Sequence, residues 1–280
     1  MADVRKGPVW AKIIIYLVMG VFTVLAIYPL MWLVIQSFKT TQEYMTSSKL
    51  ALPKLWFPGN YPYAWKMAKL GTLLLNSIFY TVITVLSVIV LGSMAGFAFA
   101  KIKSKATPAL HGMFIIGILL TLQSIMVPLF LMVNAVGLYN TRVGVLIPYI
   151  GLGLPMAVYL ATEFIKSIPD ALVESARIDG AKYLQIFAGI VLPMIAPVAM
   201  TIGILTFTGT WNEFMLINIL ASSDSIKSLP VGINRFAGAL ASDYGKQFSA
   251  LVMGMIPMVL FYLVFRKQIT KGVAAGAVKG

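Results

Sequence analysis

Residues 163–193 read EFIKSIPDALVESARIDGAKYLQIFAGIVLP, a charged segment between two stretches apolar enough to cross a bilayer. Ser167 and Asp170 have capping-box spacing, and Pro169 falls in a first turn where a missing N–H is harmless. A short helix over 168–178 is therefore expected. Ile168, Ala171, Leu172 and Ser175 share one helical face; Asp170, Glu174 and Arg177 share another. Asp179-Gly180 ends the helix, because glycine accepts the left-handed conformation of a helix stop. A second helical stretch runs from Ala181 to Leu192-Pro193. The small residues Ala171, Ser175 and Ala176 would let such a helix–turn–helix dock closely into a groove on a partner. A helix lying on the lipid headgroups is the other reading of the same pattern.

Around this segment the chain is that of a membrane protein. Of 280 residues, 59% are hydrophobic and 11% charged, with a mean hydropathy of +0.89. Soluble domains carry about a quarter charged residues, so the surface expected here faces lipid. The net charge of +13 invites a nucleic-acid reading, but the basic residues punctuate apolar stretches rather than forming a stripe, so no nucleic-acid partner is expected. The chain has no cysteine and one histidine, His111, too few for a thiolate or multi-histidine metal site. The first apolar stretch is too long for a cleaved signal peptide and lacks its small-residue cleavage pattern.

Six spans are expected, at about 13–35, 72–99, 107–133, 143–162, 193–220 and 248–265, giving an all-α polytopic protein. Pro148, Gly151, Gly153 and Pro155 predict a kinked or broken fourth span. The linking segments are outer loops at 36–69 and 221–247, the 163–192 loop inside, and a tail at 266–280. Arg5, Lys6, Lys12, Lys101, Lys103, Lys105, Arg266, Lys267 and Lys271 lie near span ends and place both termini in the cytoplasm. Lys39, Lys49, Lys54, Lys66 and Lys69 on the opposite side count against this, though most lie far from a span. The protein is expected in a plasma or inner membrane.

Glu213 is the one acid inside an apolar span, where a charge is costly unless paired or wetted. With Trp211 and Asn212 it could line a polar pathway, as could Asn76 and Gln123; equally, Glu213 could be hydrated near a helix end and the amides could bond neighbouring helices. Gly92 and Gly96 form a G-x-x-x-G pattern without naming a partner helix.

Glu174-Ser175-Ala176, three residues, Gly180, nine residues, Ile190, one residue, Leu192-Pro193 resembles the EAA loop of binding-protein-dependent ABC importer permeases. The one departure is Ser175 where alanine is usual. The tail from Thr270 to Gly280, the Trp211-Asn212-Glu213-Phe214 segment and the long 36–69 loop are similar to the maltose-type carbohydrate branch. The resemblance implies the type I importer permease fold and import of a sugar, of oligosaccharide size, by alternating access. It implies coupling to an ATPase through Ala171, Glu174, Ser175, Ala176, Asp179 and Gly180, with Gly276 and Lys279 of the tail threading into the ATPase dimer. Its implied partners are an ABC ATPase dimer, a second homologous permease, an extracytoplasmic sugar-binding protein and the lipid bilayer.

The chain has no G-x-x-x-x-G-K-[ST] phosphate loop, so ATP and magnesium are expected on the partner ATPase and no cofactor or catalytic residue in this chain. A glycerol phosphate permease of the same family and an ion-coupled secondary transporter remain the alternatives.

Overall fold

A computed structural model of the chain describes residues 9–102, 104–236 and 243–277. Among these there is no strand. The helices are α1 (Val9–Gln36), α2 (Thr41–Thr46), α3 (Asn60–Met67), α4 (Leu70–Lys101), α5 (Thr107–Leu119), α6 (Leu122–Ala135), α7 (Arg142–Lys166), α8 (Asp170–Ile178) and α9 (Tyr183–Ile186). A π-helical turn, Phe187–Val191, leads into α10 (Leu192–Met194), α11 (Ala196–Asn212), α12 (Met215–Leu220), α13 (Leu229–Asn234) and α14 (Tyr244–Ala277).

Four helices are long and apolar enough to cross a membrane singly, within α1, α4, α7 and α14. Two bent pairs bring the number to as many as six if each pair is one span: α5 with α6, at 110°, and Tyr183–Met194 with α11, at 79°. The protein is thus an all-α, multi-pass membrane protein.

The fourth expected span is not broken. α7 is one continuous helix through Pro148 and Pro155, begun by Thr141, whose Oγ1 accepts the Gly144 N–H at 3.0 Å. Proline removes single backbone bonds that a packed membrane helix tolerates, and Gly153 serves close packing, since a Cβ there would lie 2.8 Å from Val88. The 107–133 stretch breaks instead at Leu120 and Thr121, both extended, and restarts where the Thr121 and Ser124 hydroxyls bond at 2.8 Å. The last helix also outruns its expected end. It continues to Ala277, because extending a formed helix through alanines avoids the cost of nucleation.

The chain forms two compact units, one within Met1–Leu70 and Ile233–Ile256, the other within Gly71–Gly232 and Pro257–Gly280. In the first, the 36–41 turn after α1 is held by polar bonds. Asn60 donates to the Ser37 and Lys39 carbonyls at 2.8 Å each, and the Ser249 hydroxyl donates to Ser37 at 3.1 Å. Buried Lys39 donates to the Ser47 hydroxyl at 3.3 Å and the Ser48 carbonyl at 3.1 Å, and its burial draws its pKa below the ordinary lysine value. Trp32 and Tyr44 pack their ring edges on Phe248.

In the second unit α5 and α11 pack on α7. The G-x-x-x-G pattern of α4 finds its partner there too. A Cβ on Gly92 would sit 2.7 Å from that of Ala157, and one on Gly96 2.6 Å from that of Ala161. Backbones this close gain dispersion along their whole contact, which is what holds helices together in lipid.

Candidate functional site: the α8 turn and the Glu213 cavity

α8 begins at Asp170 after Pro169, with no side-chain cap. The expected capping box does not form, because both its members are engaged elsewhere. The Ser167 hydroxyl donates to the Phe164 carbonyl at 2.6 Å, closing the end of α7. Asp170 pairs with Lys101 at the end of α4, 2.5 Å away. Lys101 also donates to the Ile168 carbonyl at 2.5 Å, so its ammonium ties both the entry of α8 and its first residue to α4.

The helix stop forms as a Schellman motif. The Ala181 N–H bonds the Ala176 carbonyl at 2.9 Å, the Gly180 N–H bonds Arg177 at 3.1 Å, and Gly180 has φ +84°. Ala176 and Ala181 both rest on the core formed by Ile168, Val173, Ile186 and Phe187. Val173 is the buried residue of α8, so the strip meeting the bundle is Val173–Ala176. Of the two faces marked in the sequence, Ile168 of the first is buried in the core, while Ala171, Leu172 and Ser175 of that face and Asp170, Glu174 and Arg177 of the other are exposed, as are Ile178, Asp179 and Gly180. Arg177 lies over the Tyr183 ring at 4.4 Å and Tyr183 meets Phe97 edge-on, which fixes the return leg. At the membrane end, Leu192 donates back five residues to Phe187, the π turn just before Pro193, which has no N–H to give.

Glu213 stands in the break between α11 and α12. Its carboxylate accepts the Leu216 N–H at 2.6 Å, the Ile217 N–H at 3.1 Å and the Tyr149 hydroxyl at 2.6 Å. The half-buried carboxylate is thus placed at a helix N-terminus and bonded, both of which offset its partial removal from water. Beside it opens a cleft of about 350 Å³ between α7 and α11.

The other polar candidates lie apart from this cleft. Trp211 is buried with its ring parallel to Phe207, centroids 5.8 Å apart, and Asn212 bonds the Thr208 carbonyl of its own helix at 2.9 Å. Asn76 is buried and holds the 221–229 loop, donating to Ser225 and Lys227 carbonyls at 2.8 and 3.0 Å and accepting from Arg142 at 3.2 Å. Gln123 is exposed in the first turn of α6. Gly276 lies on helical backbone near the end of α14, and Lys279 lies outside the described residues.

Sequence reasoning missed Lys101, read as a topology marker, and Tyr149, hidden in a proline- and glycine-rich span. Their partners are 69 and 64 residues away, beyond any local pattern.

Residues 88–270 match the family of binding-protein-dependent transport system inner membrane components, a range that contains α8, Gly180 and Glu213. The chain belongs to this family. A putative ABC transporter permease protein of Caldicellulosiruptor sp., ORF2, is 32% identical over 280 residues, with both chains covered in full. The trehalose transport system permease protein SugB of Mycobacterium tuberculosis is 31% identical, covering 99% of each chain. In fold, this permease is similar to a chain of a bacterial ABC transporter involved in the import of the acidic polysaccharide alginate. The TM-score is 0.79 at 24% identity, over 91% of this chain and 95% of that one.

Proposed function

We propose that this permease carries a sugar of oligosaccharide size inward by alternating access, driven by a separate ABC ATPase that grips α8. ATP and magnesium act on that ATPase; this chain contributes no catalytic residue and no cofactor. A second homologous permease completes the pathway and an extracytoplasmic binding protein delivers the sugar. Both termini are cytoplasmic, so α8 faces the ATPase. The 163–192 segment is the coupling loop, with Ala171, Glu174, Ser175, Ala176, Asp179 and Gly180 as its contact and turn residues, and the C-terminal tail reaches the ATPase through Gly276 and Lys279.

The observation that carries this reading is the exposure of α8 on every side but Val173–Ala176. A short helix anchored by one strip and stopped by a Schellman turn offers a rigid surface to a partner groove. If that partner binds α8 differently when open and closed, its ATP cycle biases the membrane states. The similarity to a trehalose permease supports a sugar as cargo.

The test is reconstitution with the ATPase, the second permease and the binding protein in proteoliposomes. ATP-dependent accumulation of labelled trehalose or maltotriose is expected. Uptake that proceeds without ATP or the ATPase would overturn the reading.

A further inference from the structure

The cleft beside Glu213 has a composition that selects by charge. α11 is apolar overall, yet Thr206, Gly209, Thr210 and Glu213 follow one another at helical spacing along the face that lines the cleft. Opposite them stand Tyr149, Leu152 and Met156 of α7.

The threonines of α11 divide into two kinds. Thr201 and Thr208 turn their hydroxyls back to carbonyls of their own helix, Pro197 at 3.2 Å and Ile204 at 2.9 Å. The hydroxyls of Thr206 and Thr210, the two on the cleft, make no hydrogen bond among the described residues. A hydroxyl can donate once and accept twice, so both retain capacity for a ligand or water. Glu213 Oε1 accepts a single bond, from Leu216, and has a further lone pair to offer.

Among the described residues, no Lys, Arg or His lines the cleft. An anion entering it would meet the carboxylate with no compensating charge from the lining. An uncharged polyol meets acceptors and hydroxyls on one wall and Leu and Met side chains for its C–H faces on the other. The cleft lies at the small end of the range for small-molecule sites, roughly 300–1,000 Å³, which suits one sugar unit rather than a whole oligosaccharide. We infer that the Thr206/Thr210/Glu213 cleft is a binding site for one unit of a neutral sugar and rejects anionic solutes. This rests on the sugar-import reading above and narrows its substrate class.

The cysteine-free chain allows a direct test. Thr210→Cys, with Thr208→Cys as the off-cleft control, is placed in the assembled transporter, and labelling of this chain by a small methanethiosulfonate is timed. Saturating trehalose, maltotriose or raffinose should slow labelling at Thr210→Cys by about tenfold, equivalent to about 1.4 kcal/mol, and leave Thr208→Cys unchanged. Glycerol 3-phosphate should give no protection at either position. Absence of labelling at Thr210→Cys, protection by none of the sugars, or equal protection by glycerol 3-phosphate would overturn the inference. Wild-type uptake of the same sugars is measured in parallel. Uptake without protection removes the cleft and keeps the transport reading; protection without uptake does the reverse.

Discussion

Lys101, the last residue of α4, bonds Asp170, the first residue of α8, through an ammonium whose side chain is only 4% exposed while the aspartate is 68% exposed. The asymmetry decides what each contributes. The lysine is the desolvated partner, and it also holds the Ile168 carbonyl at 2.5 Å. The aspartate is wet and contributes little on its own. Lys101 is therefore the residue through which α4 and the α8 entry are joined.

Lys101→Met should loosen this joint by about 1–3 kcal/mol, the range for losing a buried charged hydrogen bond. Uptake is expected to fall about tenfold or more while ATP hydrolysis by the assembled complex persists. Lys101→Arg should restore part of it, and Asp170→Asn should do less damage than Lys101→Met. Equal damage from the two would show that the exposed carboxylate, not the Ile168 carbonyl, carries the joint.

Gly180→Val should cost about 1–2 kcal/mol or more, because φ is +84° there and left-handed backbone strains L residues by that amount. Space is not the limit, since a Cβ would have no neighbour within 4 Å. Gly180→Asn should thus be much milder than Gly180→Val in the ratio of uptake to ATP hydrolysis. Similar losses for both would point to crowding by a partner instead of backbone strain.

Gly96→Leu should prevent proper folding. Even a Cβ would sit 2.6 Å from that of Ala161 and 2.9 Å from the Thr162 nitrogen, and backbone cannot step aside. Gly20→Leu, with nothing within 4 Å, is the matched control. Yield of monodisperse protein in detergent reads the difference, and a normal yield for Gly96→Leu would refute the close seam.

Asp243 lies outside the apolar helices that can cross a membrane, and its ionisation couples stability to pH. Burial pushes its pKa up, but bonds from Lys246 and from Thr41 at 2.6 Å outweigh it and hold the group below its ordinary 3.8. A depressed folded pKa means stability that is fully present above the ordinary value and lost as pH falls through the folded one. Asp243→Asn should lower the Tm at pH 7, and the gap to wild type should close in strong acid. A gap that stays constant through acid would rule out the carboxylate as its source.

The long apolar helices were readable because long uncharged stretches have few alternatives, and the end of α8 because only glycine suits a +84° φ cheaply. Where the spans break was not. Proline and glycine marked α7, yet neighbouring helices absorb the one and require the other; Leu120-Thr121 carried no such mark and broke. The bundle-facing strip of α8 escaped as well. Ala171, Leu172, Val173, Ala176 and Ile178 spread over more than half of the helix, too broad a face for periodicity to choose among them. Glu213 stood out as an anomalous acid, while its answer, Tyr149 with two backbone N–H groups, exists only in three dimensions.

The α4–α7 seam has a mechanical meaning. Ala157 and Ala161 occupy the hollows at Gly92 and Gly96 like teeth in two adjacent notches. Moving one helix along the other to the next notch would take four residues of travel, about 6 Å, and smaller slips would ride up on the teeth. The pair is keyed against sliding, with no flexible side chain between the backbones to soak up a push. A force arriving at Lys101 is passed along a stiff double bar, and flexure is left to the places where helices stop, Leu120-Thr121 and Glu213-Phe214.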